Sequence, residues 1–536
     1  HSSYVFNLAV GGQFASNFAI GGSVGVNTVV NTTESYIAGD SRALAAKDVV
    51  LKAQDLSIVG VLTGSVQGSK GAAVGAAVSV NTVVNTAATH ITGSEVIAGR
   101  DVRLDSDMTS VVVNLAAGGG VAQQFAAGGS IAVNTVVNTT EAYIKGSTVT
   151  ASNDIALSAD NAAVVVGAAG SVQGSKGGAI GAAVTVNTIV DTVSTRVEEN
   201  SIVNAGGNVS LNSHKTSVLA SLAVSGQLAE TFTAGASVAV NTMVNKTEAI
   251  VTESTIHTIG GDILISAKDT SVIGSLVGSV SGSRGASIGA AVAVNTIVND
   301  IFAYTKESDL GAGRDIRLTA DNLTVIGNLV ISGAVGKYVA IGGAVAVNTV
   351  VNRTEAYISG TTTPMPEISA GNNIAINASD QSVIVAVAGG LSIGVTESGG
   401  GSGSIGVSVA VTNTHNTTKA YISGSSVTSN GTIDLDATSS SLIVSVSVAG
   451  SLGVVTGGGG VVGAGAGAVS VNIIDNTIES YISGNSQITA QTGSVLLNAT
   501  DNSDIIAIGG ALSLGFAIGG GGGGGLTIGA VSYTHL

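Results

Sequence analysis

Apolar and polar residues alternate with a period of two along most of the chain, which is the pattern of β-strands with unlike faces. The clearest runs follow a turn phrase containing Asp, as in Arg100-Asp-Val-Arg-Leu104 and Arg314-Asp-Ile-Arg-Leu318. Gly, Asn and Asp supply the turns, and Gly-rich bends such as residues 399–403 separate longer runs. Each unit is therefore predicted to contain a short strand, a long strand, a turn and a second long strand.

Two pairs of adjacent valines, Val29-Val30 and Val83-Val84, interrupt the alternation. Consecutive apolar residues in a two-faced strand put one of them on the polar face unless the backbone changes direction. We therefore expect a corner or a β-bulge at these positions.

One phrase, Asn-Thr-Val-Val-Asn or a close variant, recurs along the chain at a nearly constant interval. Its first residue is Asn27, Asn81, Asn134, Asn187, Asn241, Asn295, Asn348 and Asn472. The first seven are spaced by 53 or 54 residues, and the gap of 124 residues before Asn472 contains a drifted copy that ends at Tyr421-Ile422. A period of this size is typical of solenoids, propellers and arrays, so the chain is predicted to consist of about nine units of 53–54 residues.

A period of two units lies on top of the shorter one. The segment 64–71 returns at 170–177 and, with Arg284 in place of a lysine, at 278–285. In the alternate units, Phe18, Phe125 and Phe232 each lie nine residues before the repeated phrase. Odd and even units therefore differ at their bends.

Two all-β architectures fit these repeats. In a β-solenoid, equivalent strands of successive units stack in parallel about 4.8 Å apart and identical residues form ladders. In a hairpin array, the two long strands of each unit pair antiparallel and project outward. Regular length and small side chains favour the β-helix-like solenoid, with residues 1–530 as a single repetitive region.

Composition supports thin sheets and excludes several classes of protein. The chain has 77 Gly, 2 Pro, no Trp and no Cys, with 44% hydrophobic and 10% charged residues. Without Cys, neither disulfides nor thiolate chemistry is available, and this fits an exported chain. The net charge of −15 argues against nucleic acid as a partner, because binding to its backbone needs clustered Lys and Arg.

Both ends of the chain depart from a complete repeat. The sequence opens at His1 in the middle of a strand pattern, and we interpret residues 531–536 as a non-native tail. Residues 507–532 carry no charge and are long enough for a membrane helix, but the run from Gly519 to Gly525 makes a helix costly. We interpret this stretch as a divergent copy of the repeat.

The repeated Asn and a repeated Asp are the candidate site residues, and both sets are predicted to be structural ladders. Stacked Asn amides bond to one another and satisfy backbone groups. The turn aspartates are Asp48, Asp101, Asp154, Asp262 and Asp315. Like charges in a stack repel, so calcium is one possible ligand, but the equivalent positions Asn208, Asn373, Thr432 and Ser494 favour turn capping without a cofactor.

No constellation of catalytic residues departs from the repeat. The six His lie at unrelated phases, and aromatics that would line a carbohydrate groove make up only 3% of the chain. We therefore expect no enzyme, although β-helices with polysaccharide activity exist. Two other functions remain open. One is a flat binding surface for ice or polysaccharide, formed by Thr28, Thr82, Thr135, Thr242, Thr296 and Thr349, and the other is a pore-forming toxin segment.

The phrase Gly-Gly-Ser-Val-x-Val-Asn-Thr-Val-Val-Asn-Thr-Thr-Glu-Ala-Tyr-Ile with intervening Asp-Ile-x-Leu-x-Ala resembles the repeats of large bacterial surface proteins. These are the filamentous-haemagglutinin-like and leukotoxin-like exoproteins and the autotransporter passengers. The resemblance covers nearly the whole chain and implies export through an outer-membrane translocator. It also implies a secreted or cell-surface location and adhesion to host cells, matrix or other cells. The secretion signal, translocator and binding tip of such proteins are absent from this sequence.

Overall fold

The computed structural model describes residues 1–361, 364–397, 400–457, 460–518, 523–527 and 531–535. Within these ranges the chain forms three parallel β-sheets, which we name sheets A, B and C. The described part of the chain contains no α-helix, and hence no helix of the length and apolarity needed to cross a membrane.

Sheets A and B hold the long strands, and strands are numbered in chain order. Sheet A consists of β1 (Ser2–Ala15), β4 (Val49–Ser69), β7 (Val102–Ala122), β10 (Ile155–Ser175), β13 (Val209–Ala229), β16 (Ile263–Ser283), β19 (Ile316–Gly336), β22 (Ile374–Glu397), β25 (Ile433–Thr456), β28 (Val495–Asp501) and β29 (Asp504–Ile518). Sheet B consists of β2 (Phe18–Ala38), β5 (Ala72–Thr92), β8 (Phe125–Lys145), β11 (Gly178–Glu198), β14 (Phe232–Thr252), β17 (Ala286–Lys306), β20 (Val339–Ser359), β23 (Ser402–Ser423), β26 (Val462–Ser483), β30 (Gly523–Thr527) and β31 (Val531–His535).

Sheet C is narrow and joins the other two at one end of each coil. It consists of β3 (Arg42–Ala45), β6 (Glu95–Ala98), β9 (Thr148–Ala151), β12 (Ile202–Ala205), β15 (Thr255–Thr258), β18 (Asp309–Ala312), β21 (Glu367–Ala370), β24 (Ser426–Ser429) and β27 (Gln487–Ala490). Its nine strands match the nine predicted units.

Each coil runs from sheet C into a long strand of sheet A, turns at a bend and returns along sheet B. Equivalent residues of successive coils pair in parallel, so that Asn27 pairs with Asn81 and Asn81 with Asn134. This in-register stacking confirms the β-solenoid and excludes the hairpin array, in which sheets A and B would pair antiparallel within a unit.

The expected corner or bulge at the paired valines is wrong. Val29 and Val30 lie inside β2, and Val83 and Val84 lie inside β5, with an unbroken register between the two strands. Val29 points into the interior and Val30 is 67% exposed, so the alternation of faces continues through the pair. The sequence looked irregular because the outer face of this sheet is itself apolar here.

The period of 53–54 residues holds for the first coils and lengthens later. The turn step is 58 residues from Asp315 to Asn373 and 59 from Asn373 to Thr432. Strands β22 and β25 have 24 residues, whereas β19 has 21. The connection from β20 to β21 is also longer than the connection from β17 to β18. Insertions at turns and bends leave the stacking of the strands intact.

The interior changes character across the width of the coil. Near sheet C it is filled by large apolar side chains such as Ile91, Val96 and Leu104. Near the bend it narrows to Ala, Ser and Gln; the Gln67 amide, for example, occupies the space that a side chain at Gly75 would need. Small residues let sheets A and B approach closely at the bend, so little apolar area is buried there.

The uncharged C-terminal stretch continues the coil stack as strands. Strand β29 pairs with Leu442–Thr456 of β25, and β30 and β31 pair with β26. Residues 519–522 and 528–530 within this stretch lie outside the described residues. The non-native origin of residues 531–536 stays a prediction.

Candidate functional site

The first Asn of the repeated phrase lies in a straight buried column on the inner face of sheet B, here named the asparagine ladder. The Nδ2 atom of each member donates to the Oδ1 atom of the next at 2.7 to 2.9 Å. Its members are Asn27, Asn81, Asn134, Asn187, Asn241, Asn295 and Asn348. One continuous chain of amide hydrogen bonds therefore runs through seven coils.

The asparagine ladder breaks after Asn348. The register continues to Thr412 and then to Asn472, so the eighth predicted residue lies in line with the ladder but is not joined to it. The Asn472 Nδ2 atom donates instead to Ser470 Oγ at 3.0 Å. Asn348 Nδ2, Thr412 Oγ1 and Asn472 Oδ1 are all buried without a hydrogen-bond partner. This break is a local weakness of the polar interior.

A second polar column, four residues further along sheet B, was not singled out from the sequence. It contains Asn31, Asn85, Asn138, Asp191, Asn245, Asn299, Asn352, Asn416 and Asn476. Asn138 Nδ2 donates to Asp191 Oδ1 at 3.0 Å, and Asn245 Nδ2 donates to Asn299 Oδ1 at 2.7 Å. The signal was present in the phrase, because its second Asn shares a strand face with the first.

The second column packs against an inner column of sheet A, and together they hold a buried ionic cluster. The sheet A column contains Asn161, Lys215, Asp269, Asn322 and Asp380. The Lys215 ammonium is fully buried, with Nζ 3.4 Å from Asp269 Oδ1 and 2.8 Å from Ser271 Oγ. Asp191, on the opposite sheet, accepts a hydrogen bond from Ser217 Oγ at 2.5 Å. Burial lowers the pKa of Lys215 and raises the pKa of Asp191, since each charged form loses its water. The Lys215 ammonium therefore interacts with two carboxyl groups, Asp269 and Asp191, inside the sheet sandwich.

Asp380 is a buried carboxyl in the same column of sheet A. Asn322 Nδ2 donates to its Oδ2 atom at 2.6 Å, and Ser382 Oγ donates to its Oδ1 atom at 3.3 Å. Burial raises the pKa of Asp380 to about 6, although these hydrogen bonds favour the charged form. The group therefore changes charge near neutral pH.

The predicted aspartates lie in the turn that precedes sheet A and cap the next coil. Asp101 N–H donates to Asp48 Oδ1 at 3.2 Å, and Asp315 N–H donates to Asp262 Oδ1 at 3.0 Å. The same bond joins Asp101 to residue 154, Asp154 to Asn208, Asn208 to Asp262, Asp315 to Asn373, and Asn373 to Thr432. Carboxylates and amides are interchangeable in this position because each supplies one acceptor oxygen.

Arginines on the turns offset the stacked carboxylates. Arg103 Nη2 lies 3.0 Å from Asp101 Oδ2, and Arg317 Nη2 lies 3.1 Å from Asp315 Oδ2. The Arg100 guanidinium bonds to Asp48 and holds the pKa of that carboxyl below its usual value. Among the described residues, no group of three or more His, Asp and Glu has the arrangement of a metal site.

Aromatic rings stack along the outer face of sheet B, near sheet C. Ring centroids are 4.6 to 4.9 Å apart within the stacks Tyr36–His90–Tyr143 and Tyr304–Tyr357–Tyr421–Tyr481. Between them, the Arg196 guanidinium lies 5.1 Å from the Tyr143 ring centroid. Stacked rings add to backbone pairing, so this column strengthens the solenoid from outside.

The Thr of the repeated phrase forms a rank on the same outer face. Its members in register are Thr28, Thr82, Thr135, Thr188, Thr242, Thr296 and Thr349. Valines two residues to either side, such as Val26 and Val30, flank the rank, and both are more than 60% exposed. The face therefore presents hydroxyls spaced by one coil within an apolar surround.

No family model, curated protein or solved structure matches this chain. What the protein does must therefore follow from the coil stack and its surfaces. Most of the polar groups that repeat inside the stack bond to each other, so they bind the coils together and leave the outer faces as the surfaces open to a partner.

Proposed function

We propose that the chain is the structural shaft and adhesive region of a secreted or surface-anchored bacterial adhesin. The observation that carries the proposal is the uninterrupted parallel stacking of the coils. All three sheets continue through the nine coils that the strands of sheet C mark. Each coil adds about 4.8 Å of length, and its interactions are with its neighbours alone. A solenoid of this kind can therefore be of any length, because it has no single central core that limits the number of coils.

Interior ladders make the shaft stiff and additive. The asparagine ladder connects seven successive coils up to Asn348, and the turn carboxylates and amides connect neighbouring coils from Asp48 to Thr432, through side chains as well as through the sheets. A folded coil offers these groups to the next one, so folding proceeds along the chain as it leaves the cell. This fits passage through an outer-membrane translocator, which is the export route that the sequence resemblance implies.

Adhesion by such a shaft rests on many weak contacts. Repeated outer faces give the same contact at every coil, and linked contacts raise the overall avidity without a single strong site. The partners would be host cells, matrix or other cells, with no role for nucleic acid, a cofactor or catalysis.

An internal deletion tests the additive shaft. Removal of residues 81–186 takes out two complete coils and joins equivalent positions, Val80 to Asn187. We expect the shortened chain to keep the circular dichroism spectrum of a β-protein and to melt cooperatively. A matched deletion of residues 81–160, which joins unlike strand positions, should not fold. Loss of structure in both variants would contradict an additive shaft.

A bead assay tests adhesion. Beads coated with the full chain are counted on cultured epithelial cells and on fibronectin or collagen layers, beside beads coated with the heat-unfolded chain. We expect several-fold more folded-chain beads, with the excess rising steeply with coating density because binding is multivalent. Equal counts on every surface would refute an adhesive role while leaving the shaft intact.

The threonine rank favours a second candidate function, the binding of ice or a polysaccharide by the flat outer face of sheet B. A rigid face with regularly spaced hydroxyls binds a repeating ligand better than a mobile face does. Fewer side chains lose conformational freedom when the ligand binds. Thermal hysteresis and binding to insoluble polysaccharides measure this directly. Replacement of Thr135 and Thr242 by Lys should abolish either activity if the rank carries it.

A further inference from the structure

The outer face of sheet A near the bend bears a regular pattern of large and small residues, here named the chequerboard patch. It comprises three outward columns of six residues: Gly64, Ala117, Gly170, Val224, Gly278 and Ile331; Val66, Gly119, Val172, Gly226, Val280 and Gly333; and Gly68, Val121, Gly174, Leu228, Gly282 and Val335. Large residues alternate with glycine both along the rod and across it, except that Ala117 stands at one of the large positions. The two-coil period of the sequence produces this pattern.

The large residues project into solvent. Val66, Val172 and Val280 are 53%, 68% and 61% exposed, and Leu228 is 69% exposed. The three columns face solvent, yet every residue in them is apolar in each coil of the patch. An apolar area of this regularity on a solvent face marks an interaction surface.

Several of the glycines between them are open hollows, whereas at Gly68 and Gly282 an added side chain would meet Phe14 and Leu228 of the neighbouring coils. A methyl group built on Gly170, Gly174, Gly226 or Gly333 would meet no atom within 4 Å. The backbone of these four glycines has no conformation that only glycine adopts, so neither local packing nor the turn explains the absence of a side chain there. Beside the patch, a further hollow of about 420 Å³ lies over Gly274, between Leu222 and Leu276.

We propose that the chequerboard patch docks face to face on the same patch of a second copy of this chain. A shift of one coil, about 4.8 Å, or of one column, about 6.6 Å, places each large side chain of one copy over a hollow of the other. Interdigitation of this kind gives the dry, close contact of paired β-sheets. The proposal does not depend on the adhesive function.

The available area is sufficient for a stable pair. The patch and the three neighbouring apolar columns, which begin at Ile58 in β4, span about 33 Å across and about 30 Å along the rod. This is roughly 1,000 Å² per copy, above the 800 Å² or so that each partner contributes to a standard interface. The outer face of sheet B is also apolar. Its middle columns are ranks of valine, and large and small residues alternate there in the column beside the bend, Phe18, Ala72, Phe125, Gly178, Phe232 and Ala286, whereas the chequerboard patch alternates across three columns.

A second copy explains the pattern better than a lipid bilayer does. A fluid bilayer needs apolar area but imposes no register on side chains, so it gives no reason for hollows at every second coil. The bend beside the patch carries the exposed charges Lys70, Lys176, Glu230 and Arg284. These charges would enter the membrane first if the edge inserted, which is costly.

The test is sedimentation velocity of the full chain from about 1 to 100 μM. A dimer with an interface of this area should associate within that range of protein concentration. We expect a reversible dimer, with the patch surfaces paired. V172K/V280K puts charges on two of the large positions and should raise the dissociation constant at least 100-fold. T270K is the matched control, because Thr270 faces outward on the same strand as Val280 in the polar half of the coil; it should leave association unchanged.

A second variant separates specific docking from general stickiness. G174V/G226V fills two hollows and adds apolar area at positions where a Cβ atom meets no other atom within 4 Å. Interdigitation predicts weaker association, because large residues then face large residues, whereas non-specific apolar contact predicts stronger association. A monomer at every concentration, stronger association of G174V/G226V, or unchanged association of V172K/V280K would each overturn the proposal. So would a chain that stays monomeric but floats with phosphatidylcholine vesicles.

Discussion

Thr412→Asn should repair the break in the asparagine ladder and stabilise the protein. Thr412 lies in register between Asn348 and Asn472, and its hydroxyl is buried without a partner. An Asn at this position can accept from Asn348 Nδ2 and donate to Asn472 Oδ1. Both of these atoms are buried and unpaired in the natural sequence.

The expected gain follows from the groups that become paired. Leaving a buried polar group without a partner costs about 1–3 kcal/mol, so pairing two of them at about 1.5 kcal/mol each recovers about 3 kcal/mol. Ordering and fitting the slightly larger side chain costs about 1 kcal/mol. The net expectation is an increase of about 2 kcal/mol in the free energy of unfolding.

Guanidinium unfolding followed by circular dichroism measures this change, and hydrogen exchange of β23 and β26 locates it. A local readout is needed because coils of a repeat protein can unfold separately. Thr412→Val is the matched control, since it keeps the shape and removes the hydroxyl without joining the ladder. In an Asn472→Ala background the gain should fall by about half, because one of the two new bonds is lost.

The order of stability decides the outcome. The ladder predicts that Thr412→Asn exceeds Thr412→Val, which in turn is equal to or slightly above the natural chain. If Thr412→Asn were no more stable than Thr412→Val, the amide ladder would contribute nothing beyond packing, and the interpretation of the Asn column would be refuted.

Three further perturbations test the buried charges and the turn. Lys215→Met should lower the free energy of unfolding by about 3–5 kcal/mol, because it leaves the Asp269 carboxylate buried without its partner; thermal and guanidinium unfolding measure the change. Adding Asp269→Asn should restore part of the lost stability, and no restoration would contradict the pairing. The raised pKa of Asp380 predicts stability that is fully present below about pH 4 and is lost as pH rises through about 6. Asp380→Asn should therefore be more stable than the natural chain at pH 7.5, by up to about 3 kcal/mol, with the difference vanishing near pH 4; a constant difference would refute the titration. EDTA should leave the circular dichroism melt unchanged, because the turn carboxylates are bonded to backbone N–H groups and arginine; a melt that shifts on chelation and recovers with calcium would make the turn a metal site.

The strand order of the coil could be predicted from the sequence because each level of pattern pointed the same way. Period-two runs, turn phrases and a fixed repeat length together require short, long and long strands in sequence, and parallel stacking follows from identical residues at matched positions. The Asn27 to Asn348 column is visible for the same reason, since one residue type recurs at one phase.

Other features escaped prediction because they depend on which face is apolar. The valine pairs look like breaks only if the outer face is polar, and in the middle of sheet B, where they lie, it is apolar. Lys215 and Asp380 share a column that changes residue type from coil to coil, with Met108, Asn161, Asp269 and Asn322 at the equivalent positions. No repeated residue type therefore marks them, and only the strand phase places them inside. The chequerboard patch needs the exact pairing of odd and even coils, which the two-unit period suggested but did not locate.

Distances between spin labels test the central claim, the in-register stack of coils, most directly. The chain has no Cys, so pairs of Cys introduced at Thr28, Thr82 and Thr349 can be labelled on the outer face of sheet B without side reactions. Distances are measured by dipolar spectroscopy, with excess unlabelled chain to dilute contacts between copies. From the coil spacing of about 4.8 Å, the labels at Thr82 and Thr349, five coils apart, should give a narrow distance distribution centred at about 24 Å. The labels at Thr28 and Thr349, six coils apart, should give one centred at about 29 Å. Broad distributions, or distances that do not grow by one strand spacing per coil, would contradict the solenoid and everything built on its register.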